Sequence, residues 1–216
     1  MALYTIKLDG SGAERLIAAI PRVDIDDVVR FGDGQKVIGY TYSEDRTQRV
    51  YFDPEFDSLA NALSRALPKS PIVEFVDSSH DGRRLLIFAG SDTDPGRYYL
   101  FDRDKKTLTP AMIERPELEG RTLATVKSIK IPGSGGASIP AYLTLPPGKE
   151  ARGLPAVVLP HGGPSARDYW GFDWLPQFLA ARGYAVLQPE YRGSRASAMP
   201  GSARMGSGSG GLRLAT

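Results

Sequence analysis

Short β-branched and aromatic runs alternate with polar turns through the first half of the chain. Residues 36–40 and 49–52 are two such runs, and an acidic turn separates them. The same order returns further along, with runs at 85–88 and 98–101 around a second acidic turn. Asp-Gly and Gly-rich turns between runs of this kind are typical of β-hairpins. The pattern therefore predicts antiparallel strands.

Four landmarks of this pattern recur at one fixed offset. Each returns 48 positions later, in the pairs Asp33 and Asp81, Ser43 and Ser91, Arg49 and Arg97, and Tyr51 and Tyr99. Residues 3–7, followed by Asp9-Gly10, repeat the second half of the unit. A period of about fifty residues with several strands in each unit is typical of β-propeller blades. We predict partial propeller blades, with an ordinary antiparallel sheet of coincidental spacing as the alternative.

One stretch within the repeats has helical periodicity. Phe56, Leu59, Ala60, Leu63 and Leu67 recur at intervals of three and four residues, which predicts a short helix between two blades. An arc of two full units and a partial one does not close a ring, and an open arc exposes the strand edges that closure protects. We therefore expect a chain truncated at its start as well as at its end.

From about residue 125 the pattern changes. Residues 126–131 and 139–145 flank a Gly-rich turn and predict a hairpin. The continuous apolar runs at 154–159 and 184–187 indicate strands buried on both faces. An amphipathic helix is predicted between them, ending near Gly183. Hairpin, strand, helix and strand is the order in which an α/β-hydrolase sheet begins.

These patterns divide the chain into three segments. Residues 1–124 are predicted to form a partial, all-β propeller, and residues 125–194 the N-terminal part of an α/β-hydrolase domain. Residues 195–216 are predicted to be disordered, because Gly, Ser, Ala and Arg make up 16 of these 22 positions and no aromatic or acidic residue occurs among them.

Composition excludes several classes of function. A net charge of +2 gives no basic field for nucleic acid, and the absence of cysteine excludes disulfides, thiolate metal sites and a cysteine nucleophile. No cofactor or metal site is predicted.

The first residues lack the features of a signal peptide, and no apolar run is long enough to span a bilayer. We expect a soluble chain of the cytoplasm, or of the periplasm if an upstream part is missing. The oligomeric state is left open.

The loop of His161, Gly162, Gly163 and Pro164 carries the candidate chemistry. It follows a predicted buried strand and precedes a helix. Acyl transfer builds negative charge on a carbonyl oxygen, and fixed backbone N–H groups stabilise that charge. Paired glycines let such an N–H approach a substrate, and esterases and related hydrolases place an HGG loop here. The alternative is a tight turn without chemistry.

The rest of a catalytic triad is not present in the sequence. No Gly-x-Ser-x-Gly occurs, and Ser134, Ser207 and Ser209 fail its spacing. No histidine follows His161, which itself comes too early in the chain to be the base of an α/β-hydrolase. We therefore predict no catalytic residue in this chain and expect His161 to brace the loop by hydrogen bonding.

Three segments, 159–164, 177–184 and 189–194, together resemble the prolyl oligopeptidase family of serine peptidases, in its acylaminoacyl-peptidase and dipeptidyl-peptidase branches. The resemblance implies a β-propeller placed before an α/β-hydrolase domain. It implies that the Gly163 N–H is one oxyanion donor and that peptides are the substrates of the full-length relative. The resemblance also implies a supporting motif after the last strand, Tyr191, Arg192, Gly193 and Ser194.

The resulting functional hypothesis is a fragment of a serine peptidase that hydrolyses peptide or acyl-peptide bonds through an acyl-enzyme. The fragment itself is expected to be inactive, because nucleophile and base are absent. One alternative is a fragment of an α/β-hydrolase esterase, against which the upstream repeats argue. The other is a non-catalytic binding module derived from a propeller, against which the incomplete ring argues.

For the unusual tail we hypothesise a lost reading frame, with a flexible linker as the alternative. Codon degeneracy permits a DNA string for residues 195–216 that, read in another frame, gives text beginning GFGDAWLG. This resembles the family's continuation after its YRGS motif. We predict that resequencing the locus shows a single-base deletion at or near the codon after Ser194. If no other frame after that codon yields family-like text, the hypothesis is wrong.

Overall fold

The fold follows from a computed structural model, which describes residues 2–21, 23–67, 69–163, 166–191, 193–194 and 212–215. Its strands and helices, in chain order, are β1 (Leu3–Ile6), β2 (Glu14–Ala18), β3 (Ile25–Phe31), β4 (Lys36–Ser43), β5 (Thr47–Tyr51), α1 (Pro54–Ala66), β6 (Ile72–Ser78), β7 (Arg84–Gly90), β8 (Arg97–Asp102), β9 (Thr107–Ile113), β10 (Val126–Pro132), β11 (Ser138–Thr144), β12 (Ala156–Val158), α2 (Trp174–Ala181), β13 (Ala185–Pro189) and β14 (Leu212–Ala215). Two 3-10 helices are added at Pro116–Leu118 and Ser134–Gly136.

Two antiparallel sheets form the repeated part of the chain. One has the order β3-β4-β5, and the other the order β6-β7-β8-β9. We call them the first blade and the second blade. The recurring landmarks lie at equivalent places, since Ser43 ends β4 and Ser91 directly follows β7. The predicted partial propeller blades are therefore confirmed. The hairpin β1–β2 is the predicted partial copy.

The predicted helix is α1, which lies between the two blades in the chain. The side chain of Asp53 caps it by accepting a hydrogen bond from the Glu55 N–H at 3.0 Å. Phe56 and Leu63 are the buried residues of its apolar face. They pack into the main core with Leu85, which the second blade contributes. The helix is thus held by burial of one face.

Two hydrophobic cores join the three sheets that precede residue 125. The larger core joins α1 and both blades, and Phe56 meets Phe31 and Phe75 edge to face with ring centroids 5.1 Å apart in each pair. The smaller core joins β1 to the first blade through Leu3 and Ile25, both fully buried. Face-to-face packing of successive sheets is what a propeller requires.

The second unit is the sheet β10-β11-β13-β12 with α2. β10, β11 and β13 are antiparallel neighbours, whereas β12 and β13 are parallel and α2 lies between them in the chain. This is the predicted order of hairpin, strand, helix and strand. Among the described residues, no helix is both long and apolar enough to cross a bilayer.

Two expectations about strands need correction. β12 is not buried on both faces, because it lies at the sheet edge and 61% of Val158 is exposed. In the predicted disordered tail, Leu212–Ala215 instead form a strand parallel to β1. The free backbone groups of the β1 edge provide the hydrogen-bonding partners for it. The remaining tail residues, 195–211 and Thr216, lie outside the described part.

The repeated acidic turns attach the blades to the second unit. After β4, the Asp45 carbonyl accepts a hydrogen bond from the Tyr142 hydroxyl at 3.0 Å. After β7, the Asp92 carboxylate accepts one from the Val126 N–H at 2.8 Å. Gln177 of α2 reinforces the second attachment, since its amide donates to the Asp92 carbonyl at 2.9 Å. The equivalent turns of the two blades thus each attach their blade to the second unit.

Gln177 gives a direct test of this junction. Its side chain also donates to the carbonyl of Ala124 at 2.7 Å and accepts from the Ala124 N–H at 2.8 Å. Gln177→Leu leaves these buried groups without partners, so we predict a loss of about 2–4 kcal/mol in the free energy of unfolding, measured by urea denaturation. Gln48→Leu, at an exposed position, is the control and should change stability by less than about 0.5 kcal/mol. Equal effects of the two substitutions would contradict the role of Gln177.

Candidate functional site

The predicted loop lies at the carboxyl end of the parallel strands. β12 ends at Val158, and the Leu159 N–H still bonds the Leu187 carbonyl of β13 at 2.8 Å before the chain turns into His161 and Gly162. β13 ends at Pro189 and delivers Tyr191 to the same edge of the sheet. Since parallel strands place their carboxyl ends together, two segments thirty residues apart meet here.

Tyr191 holds the loop from one side. Its ring stacks on the His161 ring with centroids 4.3 Å apart and an interplanar angle of 18°. Its hydroxyl donates to the His161 carbonyl at 3.0 Å and makes a longer contact of 3.4 Å with the Gly162 carbonyl. Part of the predicted supporting motif therefore contacts the predicted loop directly.

His161 makes a hydrogen bond within the loop. Its Nδ1 lies 2.7 Å from the Gly162 carbonyl oxygen. A carbonyl only accepts, so Nδ1 carries the proton of this bond. The loop is therefore held by its own histidine as well as by Tyr191.

The glycines leave the backbone of the loop open. Gly162 and Gly163 are exposed, and a Cβ added to Gly162 would meet no heavy atom within 4 Å. Pro164 and Arg192, which the sequence also singled out, lie outside the described residues. Ser194 is buried, and its N–H bonds the Tyr191 carbonyl at 3.0 Å in a tight turn. Gly193 has φ of +96° in that turn, a value that favours glycine.

A buried acidic group beneath the loop escaped the sequence analysis. Glu190 lies between β13 and Tyr191, and its Oε1 accepts a hydrogen bond from the Asp168 N–H at 2.7 Å. Its Oε2 lies 3.6 Å from Nε2 of His161, and the two side chains are only 1% and 4% exposed. Burial raises the pKa of both Glu190 and Asp168. An acidic residue directly after an apolar strand is the sequence signal that could have identified it.

Arg167 connects this group to the first blade. Its guanidinium donates to the carbonyls of Ser43 and Glu44 at 2.8 and 2.9 Å. The Arg167–Asp168 segment also lines a cleft of about 640 Å³ between the second blade and the second unit. Other residues of that cleft are Glu74, Tyr98, Glu114 and Trp174. The site thus lies beside the junction of the two units.

The structure does not gather further catalytic groups at this edge. Ser134 lies in the turn of the β10–β11 hairpin, and Ser207 and Ser209 are outside the described residues. His80 pairs with Asp33 at the turns of the two blades, so it serves blade contact. Within the described ranges, no group of three acidic, histidine or cysteine side chains could hold a metal ion.

Comparison with known proteins agrees with the arrangement of the sheets. No family model matches the chain. The chain is 33% identical over 180 residues to dipeptidyl aminopeptidase BIII of Pseudoxanthomonas mexicana, a match that covers 75% of this chain and 26% of that protein. This similarity supports a peptidase of the prolyl oligopeptidase family. It is also 34% identical over 143 residues to dipeptidyl peptidase family member 6 of Caenorhabditis elegans, covering 56% of this chain and 19% of the relative.

The chain also shares its fold with a solved peptidase structure. A puromycin-hydrolyzing peptidase of Mycobacterium tuberculosis superposes with a TM-score of 0.54 at 18% identity, covering 86% of this chain and 29% of that chain. The chain thus spans about a quarter of the lengths of the proteins it matches. This likeness concerns the fold and assigns no substrate to the chain.

The Tyr191 hydroxyl should stabilise the loop measurably. Tyr191→Phe keeps the ring stacked on His161 but removes the hydrogen bond to its carbonyl. We predict a loss of about 1 kcal/mol in the free energy of unfolding, measured by urea denaturation. Tyr184→Phe, at an exposed position, is the control. An unchanged free energy of unfolding in Tyr191→Phe would show that the hydroxyl does not stabilise the loop.

Proposed function

We propose that this chain is part of a serine peptidase that hydrolyses peptide or acyl-peptide bonds through an acyl-enzyme. The observation that carries the proposal is the braced glycine loop at the carboxyl end of β12 and β13. In an α/β-hydrolase domain this edge of the sheet carries the reacting groups. The similarity to peptidases of this family supports the reaction class.

The loop has the chemistry of an oxyanion hole. A tetrahedral intermediate places negative charge on the former carbonyl oxygen, and a rigid N–H aimed at it lowers the barrier. Gly163 supplies that N–H in our proposal, because its backbone is exposed and the loop before it is fixed by His161 and Tyr191. Fixing the loop before substrate arrives avoids reorganisation during the reaction. A second donor would come from the residue after the nucleophile.

His161 is proposed to have no part in proton transfer to substrate. Its Nδ1 bonds the Gly162 carbonyl, its ring lies against Tyr191, and its Nε2 is buried toward Glu190. A general base needs a nitrogen within reach of the nucleophile. Nδ1 of His161 is occupied by its hydrogen bond and Nε2 is buried, so neither nitrogen is positioned to reach a nucleophile. The geometry and the order of residues in the chain therefore both argue against His161 as the base.

The sequence as it stands is proposed to be inactive in hydrolysis. It contains no Gly-x-Ser-x-Gly and no histidine after His161. Without an activated hydroxyl and its base, an oxyanion donor has no intermediate to stabilise. Part of an oxyanion hole contributes to a reaction only when the attacking group is present.

The two units are proposed to correspond to residues 1–124 and 125–194. The sheets of the blades use strands before residue 125, and the sheet of the second unit uses strands from β10 to β13. In the complete peptidase the blades would border the substrate cleft, since the cleft beside Asp168 lies between the second blade and the second unit. A peptide is the substrate that we assign to it.

Activity-based labelling tests this proposal. We predict that the purified chain neither binds a fluorophosphonate probe covalently nor hydrolyses acyl esters and aminoacyl anilides, whereas a complete serine peptidase of the family does both. The longer product, with the reading frame restored after Ser194 and the following sequence included, should gain labelling. Gly163→Val in that product should lower kcat by about 10²-fold or more while labelling remains detectable.

Covalent labelling of the unmodified chain would overturn the assignment of inactivity. Full activity of the Gly163→Val product would overturn the oxyanion assignment. Hydrolysis of simple esters without any peptide or anilide turnover in the longer product would favour an esterase.

A further inference from the structure

Two buried polar atoms face each other under the loop. Nε2 of His161 and Oε2 of Glu190 are 3.6 Å apart, and neither atom has a hydrogen-bond partner among the residues that the structure describes. Both side chains are more than nine-tenths buried. A buried polar atom without a partner is costly, so the pair calls for a physical explanation.

The number of protons that the two side chains can hold limits the protonation states of this pair. Nδ1 of His161 already carries a proton, because it bonds the Gly162 carbonyl. If the ring were neutral and Glu190 ionised, a nitrogen lone pair would face a carboxylate oxygen in a site shielded from water. One proton between the two atoms removes that conflict. It either makes Glu190 a neutral donor to Nε2 or makes His161 a cation beside a carboxylate.

The surroundings favour retention of that proton. Burial is the largest influence on Glu190 and raises its pKa, and the nearby Asp168 carboxylate acts in the same direction. The Asp168 N–H, the Arg167 guanidinium and His161 act in the opposite direction and lower the pKa of Glu190. From β11, Tyr142 faces the same carboxylate, and Tyr191 covers the His161 ring.

We propose that Glu190 is a positioning residue for the oxyanion loop, sharing one proton between its Oε2 and His161 Nε2. The proton fixes the His161 ring, and the ring fixes the loop through its bond to the Gly162 carbonyl. Glu190 is itself held, because its N–H bonds the Pro140 carbonyl at 2.9 Å and its Oε1 accepts from Asp168. The name of the loop rests on the proposed function, but the shared proton does not.

The shared proton makes the loop sensitive to pH. When it dissociates to solvent, a carboxylate is left facing the Nε2 lone pair and the ring loses its partner. A carboxyl whose pKa is raised by folding contributes stability that is complete below its unfolded pKa and is lost as pH rises through its folded pKa. The loop is therefore most rigid on the acidic side and loosens as pH increases.

NMR of the whole chain tests this directly, because only two histidines occur. His80→Gln leaves His161 as the single source of ring ¹⁵N signals. We expect Nδ1 to stay protonated throughout, while the Nε2 signal moves in one step as pH rises. Across that step, the NMR order parameters of the Gly162 and Gly163 backbone should fall, whereas that of Gly34 in an unrelated turn should stay unchanged.

Glu190→Gln is the decisive variant. Its carboxamide can donate an N–H to the Nε2 lone pair and still accepts from the Asp168 N–H, so the step should disappear and the loop should stay rigid. Glu150→Gln, at an exposed position, is the matched control and should keep the step. Glu190→Leu removes both partners and should lower the order parameters of the loop glycines at every pH.

Identical ¹⁵N titrations in the wild type and Glu190→Gln would overturn the proposal. A wild-type ring with Nδ1 unprotonated would overturn it as well. If Glu190→Leu does not fold, the comparison of wild type with Glu190→Gln decides alone. None of these readouts needs catalysis, so an inactive longer product would count against the proposed function and leave the shared proton intact.

Discussion

The buried charge of Arg167 is the constraint on which the arrangement of the two units depends. Removing a guanidinium from water costs several kcal/mol, and the cost is offset only by well-aligned partners. Here the carbonyls of Ser43, Glu44 and Asp168 accept its N–H groups at 2.8, 2.9 and 3.2 Å. The planar fork of arginine suits several acceptors at once, which the compact ammonium of lysine does not. The first blade must therefore lie where its turn can supply two of the three carbonyls.

The segment of Arg167 and Asp168 also connects the first blade to the loop. Arg167 is followed by Asp168, whose N–H bonds Glu190, and Glu190 lies beside the His161 ring. Each step joins groups that are buried or half-buried, so little freedom is left between the blade and the loop. The blade in this structure is thus part of what shapes the candidate site, although no blade residue lies in the loop itself.

Local signals in the sequence were sufficient for the elements and their order. Hairpin turns, the 48-residue repeat and the helical spacing of Phe56 and Leu63 are set by neighbours in the chain, and the structure confirms them. The partnership of Glu190 with His161 was not predicted, because it requires the parallel pairing of β12 with β13. The exposure of Val158 also escaped, since an apolar run does not tell an edge strand from a central one.

Duplication of the blade gives the junction two separate attachments. A single attachment at the turn after β4 would fix a distance but leave the second unit free to pivot about it. The equivalent turn after β7 supplies another attachment, where Asp92 meets Val126 and Gln177. Trp170 fills the space beside the first turn, with the Arg46 guanidinium 3.8 Å above its ring. Two anchors separated by one repeat define an orientation, and the loop at the end of β12 inherits it.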